Sequence, residues 1–186
     1  MPKIGIGLAV STASNAGALE VLETFDSTWD SGANKTIKLP LVSGGSYNFT
    51  VDWGDGSSDT ITAYDDSDVE HLYASDAVYT VKIEANVLSG GITGWGGLYT
   101  TSDQKKMTGI TSWGAGKNNL VLNASAGFYN QSSLNVTASG APTLTNSDAL
   151  VNLFRGCTSL VNIGTPSEWD ISGCNSMMYT FHVANF

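Results

Sequence analysis

The residues able to do chemistry are few and grouped. Asp52, Asp55, Asp59, Asp65, Asp66 and Asp68 crowd one stretch of the chain, and calcium, a hard cation, takes about six to eight oxygen ligands. Asp52, Asp55 and Asp59 are therefore candidate calcium ligands, although their spacing is not that of an EF-hand loop. The alternative is a hairpin in which Asp55 and Gly56 form the turn and the Asp side chain caps its own backbone. Apart from this calcium, no cofactor is expected. His71 and His182 are the two histidines, so any imidazole triad or zinc site must use one of them. The chain has no G-x-S-x-G elbow, no H-E-x-x-H and no P-loop, and Gly5-Ile6-Gly7 is not completed into a dinucleotide loop. A non-enzymatic protein is expected.

Aromatic residues offer a different chemistry. Sugars stack their C–H faces on exposed rings while Asn, Asp, Ser and Thr bond the hydroxyls. Trp95, Tyr99, Trp113, Tyr129 and Trp169 either do this or fill a core. Trp95, within the Gly-rich stretch that holds Gly90, Gly91, Gly94, Gly96 and Gly97, is the leading candidate for an exposed contact, joined by Tyr99 and Tyr129 as ligand-binding candidates; Trp113 and Trp169 are read as core.

The elements that must position these residues are mostly strands. Thr36–Leu39, Tyr47–Val51 and Tyr79–Ile83 alternate apolar or aromatic residues with polar ones. Turn chemistry separates them at Ser43-Gly44-Gly45-Ser46 and Gly54-Asp55-Gly56-Ser57. The best early helical segment, 18–25, is short. Of 186 residues only 13% are charged and the net charge is −9, with 8 Lys+Arg against 17 Asp+Glu. That balance excludes a nucleic-acid partner, which needs a basic patch. Five Trp, seven Tyr and six Phe can build a core. No apolar run reaches the roughly 18 residues of a membrane-spanning helix. Residues 4–10, interrupted by Gly5 and Gly7, faintly resemble a signal peptide but read better as an extended arm. Cys157 and Cys174 have no C-x-x-C spacing.

Past residue 90 the texture changes and a repeat emerges. Phe128-Tyr-Asn-Gln-Ser-Ser-Leu134 aligns with Phe154-Arg-Gly-Cys-Thr-Ser-Leu160 at an offset of 26, and Phe181 follows Phe154 by 27. This period lies in the roughly 20 to 29 residue range of leucine-rich repeats, each turn supplying a strand and a short helix-like segment. The expected organisation is an N-terminal arm (1–20), a sandwich (21–90) and a solenoid (91–186) whose third copy is cut at Phe186, so that further chain is expected beyond it.

Two families are resembled. Val51-Asp52-Trp53-Gly54-Asp55-Gly56, then His71-Leu72-Tyr73, then Val78-Tyr79-Thr80-Val81 resembles the polycystic-kidney-disease (PKD) type β-sandwich, with Ala77 in place of its usual glycine. Trp169-Asp170-Ile171-Ser172, Met177-Met178-Tyr179-Thr180-Phe181 and Phe154-Arg155-Gly156-Cys157-Thr158-Ser159-Leu160 resemble the leucine-rich repeats of BspA-like bacterial surface antigens, and Lys106–Gly114 resembles the lead-in to such an array. Together these resemblances imply a mainly β protein, an Ig/PKD-like sandwich followed by a solenoid, of the kind found in bacterial surface proteins and some phage virion proteins. They imply display and adhesion. The expected role is a phage virion structural protein (fibre, tail-tip or capsid decoration) whose arm adds a strand to other virion subunits and whose repeats meet a host surface protein or glycan; a symmetric homo-oligomer is expected. The alternative is a secreted bacterial cell-surface adhesin.

Overall fold

The computed structural model describes residues 23–86, 91–97 and 101–185. The expected arm, 1–20, and Tyr99 lie outside these residues. The protein is mainly β: helical structure among the described residues is confined to four three-residue 3-10 turns. Of the helical segment expected over 18–25, the described end is extended, because Phe25 opens the first strand.

Strand β1 (Phe25–Asp30) buries Phe25, Ser27 and Trp29 on one face, the period-two alternation of a half-buried strand. Ser27 Oγ accepts the Trp29 indole N–H at 2.8 Å, so that this buried polar pair is self-satisfied. β1 pairs antiparallel on one side with β6 (Val78–Ala85) and on the other with β7 (Met107–Trp113). β3 (Phe49–Asp52) and β4 (Ser58–Ile61) extend the sheet beyond β6, and β9 (Asn135–Val136) extends it beyond β7, giving the order β4-β3-β6-β1-β7-β9. A second pair, β2 (Thr36–Lys38) with β5 (Glu70–Leu72), is antiparallel; a third, β8 (Val121–Leu122) with β10 (Thr143–Leu144), is parallel. One apolar cluster runs from Phe25 and Trp53 to Phe154 and Leu160. The change in texture near residue 90 therefore lies inside a shared sheet and a shared core.

From β7 onward the pairing turns parallel and regular. Ile110 faces Val136, and Val136 faces Ile163, at offsets of 26 and 27 residues. On another side of each coil, Phe128, Phe154 and Phe181 stack nearly face to face, with centroids 5.4 and 5.8 Å apart and planes 14° and 7° from parallel. Between these two columns the chain makes consecutive tight turns. Val151, Leu153, Arg155 and Cys157 each donate their N–H three residues back, to Asp148, Leu150, Asn152 and Phe154. The intervening N–H groups, of Asn152, Phe154 and Gly156, reach instead to Met178, Thr180 and His182 in the next coil, at 2.8 to 3.0 Å. The helix-like segment expected in each copy is thus a run of turns. An α-helix would direct every N–H along its own axis, whereas here every second one leaves for the neighbour.

Closing such turns demands left-handed residues. Asn130, Asn152 and Gly156 adopt φ of 57°, 55° and 77° in third-of-four turn positions, as do Tyr179 and Val183 at 59° and 62°. Asn and Gly tolerate this region; a β-branched side chain such as Val183 enters it only at a cost. Gly156 is held twice over, since a Cβ there would sit 2.1 Å from Asn130 Oδ1.

Trp95 corrects an expectation. The described part of the Gly-rich stretch, 91–97, is not a surface loop: Val42 donates to Gly94, Gly96 donates to Pro40, and Gly97 donates to Ser125, so the segment wedges between the first sheet and the coils. Glycine is needed there because a Cβ at Gly94 would lie 2.2 Å from the Tyr47 hydroxyl. The wedge drives Trp95 inward, fully buried, edge-on to Phe25 at 5.1 Å and to Trp29 at 6.4 Å.

Two stability outcomes are expected from chemical denaturation. Trp95→Ala costs about 3 to 5 kcal/mol, the range for emptying a large aromatic site. Trp95→Phe loses far less, because the Trp95 indole N–H is buried without a partner. At equivalent positions of successive coils, Gly156→Ala destabilises and Val183→Gly stabilises by about 1 kcal/mol, the left-handed cost for an L-residue; equal signs for the two would contradict the turn geometry.

Candidate functional site

The acidic stretch resolves into separate local bonds. Asp52 accepts the Gly54 N–H at 2.9 Å, and Asp59 accepts the Trp53 indole N–H at 2.8 Å. Asp55 accepts Ser57 N–H at 3.0 Å and Ser57 O–H at 2.6 Å, and its other oxygen lies 2.9 Å from His71 Nε2. These bonds point the three carboxylates to three different places. Among the described residues no group of three or more His, Cys, Asp or Glu could hold a metal ion, so Asp52, Asp55 and Asp59 do not form the calcium cage considered above.

Instead, Asp55 locks the β3–β4 hairpin to β5. Gly54 and Gly56 take φ of 79° and 93° to make the turn, and a Cβ on Gly54 would meet the Thr80 carbonyl at 2.4 Å. The His71 ring stacks on Trp53, 4.8 Å away and 8° from parallel, and meets the edge of Tyr73 at 4.5 Å. The Tyr73 hydroxyl donates to the Trp53 carbonyl at 3.0 Å, and burial, with Asp55 nearby, pushes its pKa well above the ordinary phenol value. Ser57, His71 and Asp55 are close, but both oxygens address the same ring nitrogen, Nε2, with Ser57 at 3.4 Å. In a nucleophilic triad the imidazole bridges its partners through two different nitrogens. This arrangement fastens a turn.

A face of aromatic rings and one cation lies on the coils. Tyr129 is half-buried. Arg155, one coil further on, lies over its ring at 5.7 Å and over the ring of Tyr179 at 5.1 Å. Asn152 Oδ1 accepts one guanidinium N–H at 3.2 Å and so fixes the fork. Tyr179 is exposed and its ring meets His182 edge-on at 5.4 Å. Of the predicted ligand-binding residues, then, Tyr129 joins an aromatic and cationic face, Trp95 is in the core, and Tyr99 is outside the described residues.

Sequence reasoning passed over Arg155 and Tyr179. A signal was present: Arg155 is the sole arginine and takes the place of Tyr129 in the next copy of the repeat. A second feature lies at the last described coil, an apolar cleft of about 150 Å³ lined by Leu150, Phe154, Trp169, Ile171, Met177 and Phe181. Trp113 and Trp169 are packed edge to face at 5.5 Å. Among the described residues no helix is long and apolar enough to cross a membrane.

No protein-family model, curated protein or solved structure matches this chain.

The hairpin lock is pH-dependent. Burial alone would raise the Asp55 pKa, but hydrogen bonds from Ser57 and His71, and the charge of His71, bring it down to about 2. A depressed carboxylate contributes stability that is full above the unfolded value of about 3.9 and is lost as pH falls through the folded value. Between pH 4 and pH 2 the native protein should therefore lose more stability in urea than Asp55→Asn does; parallel losses would dissociate Asp55 from the lock.

Proposed function

We propose that this protein is a non-enzymatic structural component of a phage virion, a fibre, tail-tip or capsid decoration, that displays a binding face toward the host surface or its glycans. The observation that carries the reading is the Tyr129–Arg155–Tyr179 face, in which Tyr179 is exposed and Tyr129 and Arg155 are partly so, built across successive coils and backed by a stack of Phe rings. A flat face of aromatic rings and polar side chains suits a saccharide, which needs a surface to lie on and hydroxyl partners. Parallel pairing at offsets of 26 and 27 residues supports reading residues 91–186 as a leucine-rich-type solenoid, the architecture in which a concave or flat side commonly serves for binding. The antiparallel strands between 25 and 85, with their W-G-D-G turn fastened through His71 and Tyr73, support reading the first part as a PKD-like sandwich.

The apolar, glycine-interrupted sequence of residues 4–10 suits strand addition to a partner subunit, which favours a virion over a free adhesin. In a lysate of infected cells the protein is expected to co-sediment with particles through a density gradient. Recovery from the outer membrane of uninfected cells would overturn the virion assignment in favour of a bacterial adhesin.

A further inference from the structure

Arg155, like Lys35 and Lys105, is a described cation outside the ion pairs of this chain. Four of the lysines are neutralised by neighbours: Lys38 by Glu70 at 3.1 Å, Lys82 by Asp26 at 3.9 Å, Lys106 by Asp103 at 2.8 Å and Lys117 by Glu84 at 3.0 Å. Arg155 has no carboxylate partner among the described residues, in a protein of net charge −9. Its Nη1 donates to the neutral Asn152 amide oxygen at 3.2 Å. A guanidinium carries five N–H donors in a planar fork, so donors remain for a ligand. Two tyrosine rings flank the guanidinium, 5.7 and 5.1 Å from its carbon, and limit where the fork can lie; a planar fork suits bidentate carboxylate recognition.

The repeat also carries Tyr179 to this face. It holds φ of 59° at the turn position that the preceding coil fills with Asn152. The side chain it presents there is half-exposed, beside Arg155.

Resting on the display reading above, we infer that the Tyr129–Arg155–Tyr179 face binds an acidic sugar, its carboxylate on the Arg155 fork and its ring against a tyrosine. A singly charged carboxylate is favoured over a dense polyanion such as a phosphate polymer, because a chain of net charge −9 repels the latter at long range.

The test uses the whole chain and paired probes by titration calorimetry or on an array: sialyllactose against lactose, and galacturonic acid against its methyl ester. At least one acidic member is expected to bind ten-fold or more tightly than its neutral twin. Arg155→Gln should remove that preference, and Arg155→Lys, which keeps the charge and loses the fork, should remove most of it, with unfolding midpoints unchanged. Equal binding of acid and neutral twins, a preference that survives Arg155→Gln, or no binding of either acid overturns the inference. The paired probes need no variant, so a misfolded variant does not decide the matter. The virion assignment stands or falls separately, on sedimentation.

Discussion

Each backbone donor in the coils has to go somewhere, and the way it does so fixes everything after residue 107. Over 151–155 the bookkeeping closes. Asn152 and Phe154 send N–H to the next coil and use their carbonyls to close turns; Val151, Leu153 and Arg155 close turns with N–H and offer their carbonyls to the coil before. Ala126, Phe128 and Asn130 donate to Val151, Leu153 and Arg155 in the same manner. Since an unpaired buried amide costs as much as a lost hydrogen bond, a coil is complete only against its neighbours. The same alternation requires left-handed residues at fixed places, and those places recur with the repeat.

This geometry explains what was legible in the sequence. The period was visible because the Phe column repeats it, and the early strands were visible because β2, β3 and β6 alternate inward and outward residues. The helix-like segment was expected from the leucine-rich-repeat period alone, and a period does not tell a helix from a run of turns. Turn runs bury two residues and turn two outward, as Ala149 and Leu150, then Leu153 and Phe154, then Cys157 show. That four-residue rhythm imitates the i, i+4 spacing of an amphipathic helix, and only the left-handed positions distinguish the two. Asn and Gly at those positions were the available sign.

Trp95 and Arg155 mark the limits of composition as a guide to sites. Glycine-rich sequence around an aromatic residue reads as an exposed loop when the glycines are taken as turns. Here Gly91 and Gly94 are required by close packing, with the Asn119 carbonyl 2.5 Å from a Cβ at one and the Tyr47 hydroxyl 2.2 Å from a Cβ at the other. Close packing on both sides is what buries the ring between them. Polar ties do similar work elsewhere: Asn119 accepts from Thr143 N–H and O–H and donates to Gly114 and Ala141 carbonyls. Gln131 joins Met107 to Gln104 across the start of the array. Much of the Asn and Gln content is therefore backbone mortar, which composition alone cannot separate from ligand contacts.

The scarcity of charge follows from stacking as well. After Lys117 the chain carries Asp148, Arg155, Glu168 and Asp170 as its charged residues. Equivalent side chains in successive coils stand roughly as far apart as the Phe rings, 5.4 to 5.8 Å. Like charges at that distance repel by about 0.8 kcal/mol even in bulk water, and by more at a protein surface. A repeated charge would incur that cost at every step, so an array of this pitch selects uncharged polar residues on its outward positions. None of the four charged residues has a like-charged counterpart one period away; Ala141, Thr143, Asn175 and His182 stand at those positions. Arg155 fits the rule because a coil on either side offers it a ring, not a second cation. A guanidinium so placed stands without a neighbouring like charge after Lys117, which suits it to the anionic ligand inferred above.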